Sequence, residues 1–266
     1  MTGRARAPLA SSRTTALLRT AVAASSEDPD QHKAAQALAD ELSLPFLPTP
    51  TADTDLLLLQ TTDHIELRDL RDPRLGPIWV DFSRFDLRPY GPGLSRRQPL
   101  ARAFGKKVRT IVDATAGLAQ DALRLALMGF QVTAIERSPV VVALARDGLH
   151  RFESERGITL GSRLALRAGD ARALLPALAR PDAIFLDPMF PARRKRSAAV
   201  RKEMRVLRDL VGEDPDAVEL LGIARAVARE RVVVKRADDA PPLAPSPNHS
   251  ITGKLVRYDV YLAPSA

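Results

Sequence analysis

Two groups of residues in this chain are of types that do chemistry, and both sit where an apolar run stops. In the first, Ile111 and Val112 run into Asp113, and the small residues Ala114-Thr115-Ala116-Gly117 follow. Asp121 then falls in the first turn of a helical pattern, and a second apolar run, Phe130 to Ile135, ends in Glu136. The second group is Asp187-Pro188-Met189-Phe190-Pro191, after the apolar stretch Asp182 to Leu186. An acid about 20 residues past a glycine turn can hydrogen-bond both hydroxyls of a ribose. Glu136 lies 19 residues past Gly117, and Gly117 lets the backbone approach a ligand where a Cβ would intrude. A dinucleotide site needs G-x-G-x-x-G so that amides reach a pyrophosphate; this turn has one glycine and then an acid. Asp121 is a poor neighbour for pyrophosphate and a good one for a ligand bearing an ammonium and a sulfonium. The chemistry that fits is binding of S-adenosylmethionine. The plainer reading is a βαβ unit whose Gly117 only turns the chain. A nicotinamide dehydrogenase is disfavoured by the missing second and third glycines.

Two prolines around an aromatic make Asp187 to Pro191 a rigid loop with an exposed ring. It is placed at the carboxyl edge of a sheet, where α/β ligand crevices open. The loop runs into Arg193-Arg194-Lys195-Arg196, and Ser197 caps a helix carrying Arg201, Lys202, Arg205 and Arg208. From Arg193 to Arg208 eight bases face one acid, Glu203, a local excess close to the +8 of the whole chain. Charge concentrated beside a proposed site reads as a nucleic-acid footprint. A second run, Arg96 to Arg109, holds six bases and no acid. It reads as a solvated helix face or, from its place before the first strand of the site, as a phosphate contact.

The elements that must position these residues follow from periodicity. Residues 1–29 are expected to be a flexible extension. Asp30 is placed as the cap of a helix to Leu42, with Ala34, Leu38 and Leu42 on one stripe. Leu56 to Gln60, Ile65 to Arg68 and Ile78 to Phe82 read as strands, so residues 30–95 form a small α+β subdomain. From 96 to 266 strands and helices alternate, which predicts a mostly parallel sheet with helices on both faces. Gly129 ends the first helix there. Ser138-Pro139 opens the next, with Val141, Leu144 and Ala145 inward and Gly148 near its end. Leu164 to Leu166 leads into Gly169-Asp170, where Asp170 is either an acceptor for an adenine amino group or a helix N-cap. Asp214-Pro215 starts a helix with Leu220, Ile223, Ala224 and Val227 inward, and Arg231 to Lys235 is a strand. Ile251 to Leu255 and Tyr258 to Leu262 close the sheet.

Whole-chain properties bound the function. The 266 residues, 45% of them apolar, support one large domain with a small appendage. With 40 basic and 32 acidic side chains and no cysteine, an anionic partner is favoured and a disulfide framework is excluded. The four histidines stand singly, so no metal is expected. No apolar run approaches the ~18 residues of a membrane span. The Arg-, Ser- and Ala-rich start faintly resembles a transit peptide, but a ragged terminus is the preferred reading and a cytoplasmic setting the default expectation.

The run DATAGLAQDAL, with IER after the second strand and LDPMFP after the fourth, resembles class I S-adenosylmethionine-dependent methyltransferases. More narrowly, three runs resemble the ribosomal RNA small subunit methyltransferase J family: LDPMFPARRKRSAAVRKEMRVLRDLVGEDPDA, RVVVKRADDAPPLA and RYDVYLA. The likeness runs from about Leu56 to the end. It implies a Rossmann-like seven-stranded sheet whose last strand is antiparallel, S-adenosylmethionine as cofactor, and 16S rRNA or the small ribosomal subunit as partner. The activity implied is methylation of the exocyclic N2 of a guanosine. Implied cofactor contacts are Gln120, Asp121, Glu136, Arg137, Gly169, Asp170 and Asp187, which join Asp113 and Gly117 of the turn. Asp187 and the carbonyl of Pro188 would accept hydrogen bonds from the amine, and Phe190 would stack on the base. Arg193, Arg194, Lys195, Arg196, Arg201, Lys202 and Arg205 would hold phosphates. The family usually has G-L-G-R-D at the turn; here Ala119 is expected to add a methyl near the ligand, and Gln120 lacks a charge. Rival expectations are a methyltransferase acting on adenine N6 in DNA or RNA, and a non-catalytic RNA-binding protein of this fold. No oligomeric state follows.

Overall fold

The computed structural model describes residues 18–49, 51–88, 94–188, 198–212 and 214–264. Near the start, β1 (Thr20–Ala24) runs parallel to β2 (Leu56–Gln60), and β2 runs antiparallel to β3 (Ile65–Asp69). An unstructured chain up to residue 29 is therefore corrected over 20–24, where the buried Ala21, Val22 and Ala23 pack on both faces of this sheet. α1 (Pro29–Leu42) buries Ala35, Leu38 and Ala39 rather than a stripe through Ala34. Its cap is Asp28, not Asp30: the Asp28 carboxylate accepts from the N–H groups of Asp30 and Gln31. Pro29, with no N–H to satisfy, takes the first helical position and sets the cap one residue earlier. Ile78 to Phe82 forms no strand; Ile78 makes one bridge to Leu67, and the chain then turns at Asp81, which accepts from the Ser83 N–H.

α2 (Pro99–Phe104) leads into the main unit. There follow β4 (Thr110–Asp113), α3 (Gln120–Leu127), β5 (Gln131–Glu136), α4 (Pro139–Arg156), β6 (Leu164–Ala168), α5 (Ala171–Leu174) and β7 (Ala183–Leu186). Then come α6 (Ala198–Val211), α7 (Ala217–Val227), β8 (Arg231–Ala237), β9 (His249–Thr252) and β10 (Val256–Leu262). The seven strands lie in the order β6-β5-β4-β7-β8-β10-β9. Neighbours from β6 to β8 are parallel, and β10 is antiparallel to both of its partners. The strand order reverses at β4, so a crevice opens past the carboxyl ends of β4 and β7.

The central strands are buried on both faces, which is why they read as unbroken apolar runs. Ile111, Phe130 and Phe185 join Phe104 on one face, in a core continuous with Val22 and Leu67 of the N-terminal sheet and with Phe82 beyond it. Val112, Ile135, Ile184 and Val234 pack on the other face, under Leu220, Leu221 and Ala224 of α7. α4 runs past Gly148 to a left-handed cap at Gly157 (φ 58°). Gly148 is thus mid-helix, where a Cβ would lie 2.5 Å from Cγ1 of Val80; its absence lets α4 dock on the N-terminal unit. The closing hairpin turns at Gly253, whose N–H donates to Val256, so β9 starts at His249 and Leu255 is left exposed in the turn. Among the described residues no helix is long and apolar enough to cross a membrane.

Candidate active site

The turn after β4 is tied to both flanking strands. The Ala114 N–H donates to the Phe185 carbonyl of β7, and the Ala116 N–H to the Ile135 carbonyl of β5, each at 3.0 Å. Gly117 (φ 51°) has open space where a Cβ would stand, so the backbone presents itself to the crevice. Its N–H donates to Oε2 of Glu136 at 2.9 Å, and the Ser138 N–H donates to Oε1 at 2.8 Å. Each carboxylate oxygen has two lone pairs, so one on each remains for a ribose hydroxyl. Burial pushes the Glu136 carboxyl up, opposed by those two N–H bonds.

Ala119 adopts a left-handed φ of 59° as the residue before α3 and is fully buried. Its methyl therefore lies in the hydrophobic core and not beside the ligand, which corrects the expectation from sequence. The backbone conformation, invisible in residue type, decides the direction, at a cost of ~1–2 kcal/mol for a non-glycine residue. Gln120 and Asp121, the first two residues of α3, both line the crevice.

Asp187 follows the last residue of β7, and Pro188 behind it is buried. The Asp187 N–H donates to Oγ1 of Thr115 at 2.6 Å, and its Oδ2 accepts from Nζ of Lys235 at 2.8 Å. The same ammonium donates to Oδ2 of Asp121 at 2.6 Å, whose Oδ1 accepts from Arg124 at 2.6 Å. Burial alone would lower the Lys235 pKa, but Asp187 and Asp121 outweigh it and hold the group well above its ordinary value. Asp113, buried at the end of β4, is pushed well up by burial and by the charges of Asp121 and Asp187. Tyr258 on β10 faces the same cluster; burial, with Asp121 next, pushes its hydroxyl up to about 12.

The rim is braced by ion pairs. Arg137 bridges Asp214 and Asp216 in the connection between α6 and α7. Asp170 is the N-cap of α5, accepting from the Arg172 N–H at 2.8 Å, and it also lines the crevice beside Gly169. The N-cap reading of Asp170 is thus realised. Arg172 continues the brace to Asp216 and Glu219.

Asp113, Gly117, Gln120, Asp121, Glu136, Arg137, Gly169, Asp170, Asp187 and Pro188 all line one cavity of about 290 Å³. Among the described residues seven carboxylates border it, those named together with Asp214 and Asp216, against two cations, Arg137 and Lys235. Such a lining repels a pyrophosphate and suits a cationic ligand with a ribose, while Val141, Ala171 and Leu220 offer an apolar wall for a flat base. Phe190, Arg193, Arg194, Lys195 and Arg196 lie outside the described residues. Arg201 and Lys202 fall on α6, with side chains outside the description; Arg205 is exposed there, 3.8 Å from Asp72. The run from Arg96 to Arg109 does not serve the crevice. Arg96 donates to the carbonyls of Met128 and Gly129 and lies over the Phe130 ring, and Lys106 to Arg109 precede β4 at the opposite end of the sheet.

Sequence reasoning missed Lys235, Thr115, Tyr258 and the Asp214–Asp216 brace. The signal for Lys235 was present: it follows three valines in β8, just as Asp113 and Asp187 follow the apolar runs of β4 and β7.

Comparison with known proteins agrees with this geometry. A family model described as "Putative SAM-dependent methyltransferase" matches residues 37–263. The chain is similar to ribosomal RNA small subunit methyltransferase J of Tolumonas auensis, 47% identical over 89% of this chain and 96% of the relative. It is also similar to the protein of that name in Thioalkalivibrio sulfidiphilus, 46% identical over 88% and 94%. The crystal structure of a SAM-dependent methyltransferase from Neisseria gonorrhoeae superposes with a TM-score of 0.68 at 31% identity, covering 92% of this chain and 97% of that one. The chain belongs to the ribosomal RNA small subunit methyltransferase J family and is an S-adenosylmethionine-dependent methyltransferase.

Proposed function

We propose that the enzyme methylates the exocyclic N2 of a guanosine in 16S rRNA, as free RNA or in the small ribosomal subunit, in the cytoplasm. The observation that carries this reading is Asp187, a carboxylate fixed at the carboxyl end of β7 and facing the cofactor crevice. The bound cofactor supplies an electrophilic methyl on a sulfonium sulfur. The N2 lone pair is delocalised into the guanine ring, so the amine is a weak nucleophile and must be held in line with that methyl. Alignment of this kind lowers a barrier by on the order of several kcal/mol.

Asp187 accepts a hydrogen bond from one N–H of the amine, and the Pro188 carbonyl accepts from the other. Both acceptors stabilise the positive charge that grows on nitrogen. The N–C bond forms as the C–S bond breaks, the electron pair stays on sulfur, and nitrogen then sheds one proton through Asp187 to solvent. Phe190 stacks on the target base, worth ~1–3 kcal/mol, and the bases from Arg193 to Arg205 hold phosphates. The test is Asp187→Ala assayed with small subunits from a deletion strain. Methyl transfer should vanish while cofactor binding stays measurable by calorimetry; retained transfer refutes the role of Asp187.

A further inference from the structure

Three carboxylates and one ammonium line the crevice, and a buried tyrosine lies within reach of their charge, each from a different element. Asp113 comes from β4, Asp121 from α3, Asp187 from the end of β7, Lys235 from β8 and Tyr258 from β10. Arg124, one helical turn past Asp121, also acts on this group. The three acids do not share Lys235 equally. Its Nζ lies 2.6 Å from Asp121 and 2.8 Å from Asp187, whereas Asp113 has a backbone N–H, that of Thr115, as its hydrogen-bond donor. Asp121 has a second cation in Arg124, and Lys235 is a cation on the cavity wall that Asp187 and Asp121 share. Arg137, the other cation bordering the cavity among the described residues, is engaged with Asp214 and Asp216.

We infer that Lys235 is a positioning residue for methyl transfer. It fixes Asp187 in the ionised, amine-facing state and ties that carboxylate to Asp121, at the start of the helix that flanks the cofactor turn. The inference rests on the reading of Asp187 as the group that faces the acceptor amine. An ammonium at hydrogen-bond distance favours a carboxylate's charged form. Without Lys235, Asp187 would lose a bond that sets its direction and a charge that favours its ionised form. The step Lys235 governs is therefore alignment of the amine, not binding of the cofactor, because Asp121 keeps Arg124 and Glu136 keeps its two backbone donors.

The test compares wild type, Lys235→Met, Lys235→Arg and Asp187→Asn, with folding checked by thermal unfolding. For Lys235→Met the expected result is a kcat loss of about 100-fold, the scale of a misplaced catalytic group, with cofactor Kd changed much less. The acid limb of its kcat profile should move up by about one pH unit or more. Lys235→Arg, which keeps the charge but not the shape, should return the limb to its wild-type position while kcat stays reduced. A Lys235→Met enzyme with near-normal kcat and an unmoved limb overturns the inference, as does a loss confined to cofactor affinity. If neither variant at position 235 folds, the lysine is a structural ion-pair member and the inference falls. Full activity in Asp187→Asn instead sinks the underlying reading of the site, which keeps the two failures apart.

Discussion

Asp113 is the acid of the crevice whose charge is most opposed by its surroundings, and its protonation should show in stability. An acid with a raised folded-state pKa binds more protons folded than unfolded. It therefore supports folding at low pH and opposes it as pH rises through the ordinary carboxylate range. Asp113→Asn keeps an acceptor for the Thr115 N–H and removes that penalty. Its melting temperature should exceed that of wild type at pH 7, and the gap should shrink toward pH 4; a gap independent of pH contradicts the assignment. Glu136→Gln makes a second test at this scale. The amide would turn a donor toward the N–H of Gly117 or Ser138, leaving an unmet bond worth ~1–3 kcal/mol. Cofactor Kd, read by calorimetry, should rise about 10- to 100-fold. Glu136 and Asp187 were legible in the sequence because an acid closing an apolar strand has few structural reasons to be there. Lys235 was not, because a lysine ending a valine run also reads as a strand returning to solvent. The direction of the Ala119 methyl was hidden because it depends on a left-handed φ that residue type does not declare.

The elements place these groups, and two contacts between elements are open to test. The segment joining α6 to α7 is held to the carboxyl edge of the sheet by Arg137 through Asp214 and Asp216. Leu207 and Leu220 on those helices border the cofactor cavity. Arg137→Ala should loosen that wall, weakening cofactor binding about 10-fold, the scale of one charged hydrogen bond, and speeding amide hydrogen exchange in α7. Unchanged exchange there would show that the brace is idle. At Gly148, an added methyl gains helix propensity of about 1 kcal/mol but must displace Val80, an overpacking cost of ~1–3 kcal/mol. Gly148→Ala should thus lower thermal stability slightly and leave cofactor affinity unchanged. The alternating main unit was readable from periodicity because its strands are buried runs between capped helices. The strand at 20–24 was not, since a short Ala-Val-Ala stretch becomes a strand only when β2, distant in sequence, pairs with it.

At the scale of the molecule, charge and cavity divide the labour. Among the described residues the charged lining of the crevice is mostly acidic, whereas α6, which borders it through Leu207, carries the exposed Arg205. This division suits the proposed pairing of a cationic cofactor in the crevice with an anionic RNA held by the bases after Pro191. If about six phosphates are neutralised, RNA affinity should fall by ~10³-fold between 50 and 200 mM salt. Arg205→Glu should flatten that dependence without touching cofactor affinity. The most direct test of the account is chemical. Small-subunit RNA from a deletion strain is incubated with the enzyme and methyl-labelled S-adenosylmethionine, digested to nucleosides and resolved by mass spectrometry. Label should appear in N2-methylguanosine with wild type and be lost with Asp187→Ala. Label in N6-methyladenosine, or equal labelling by both enzymes, would contradict the account.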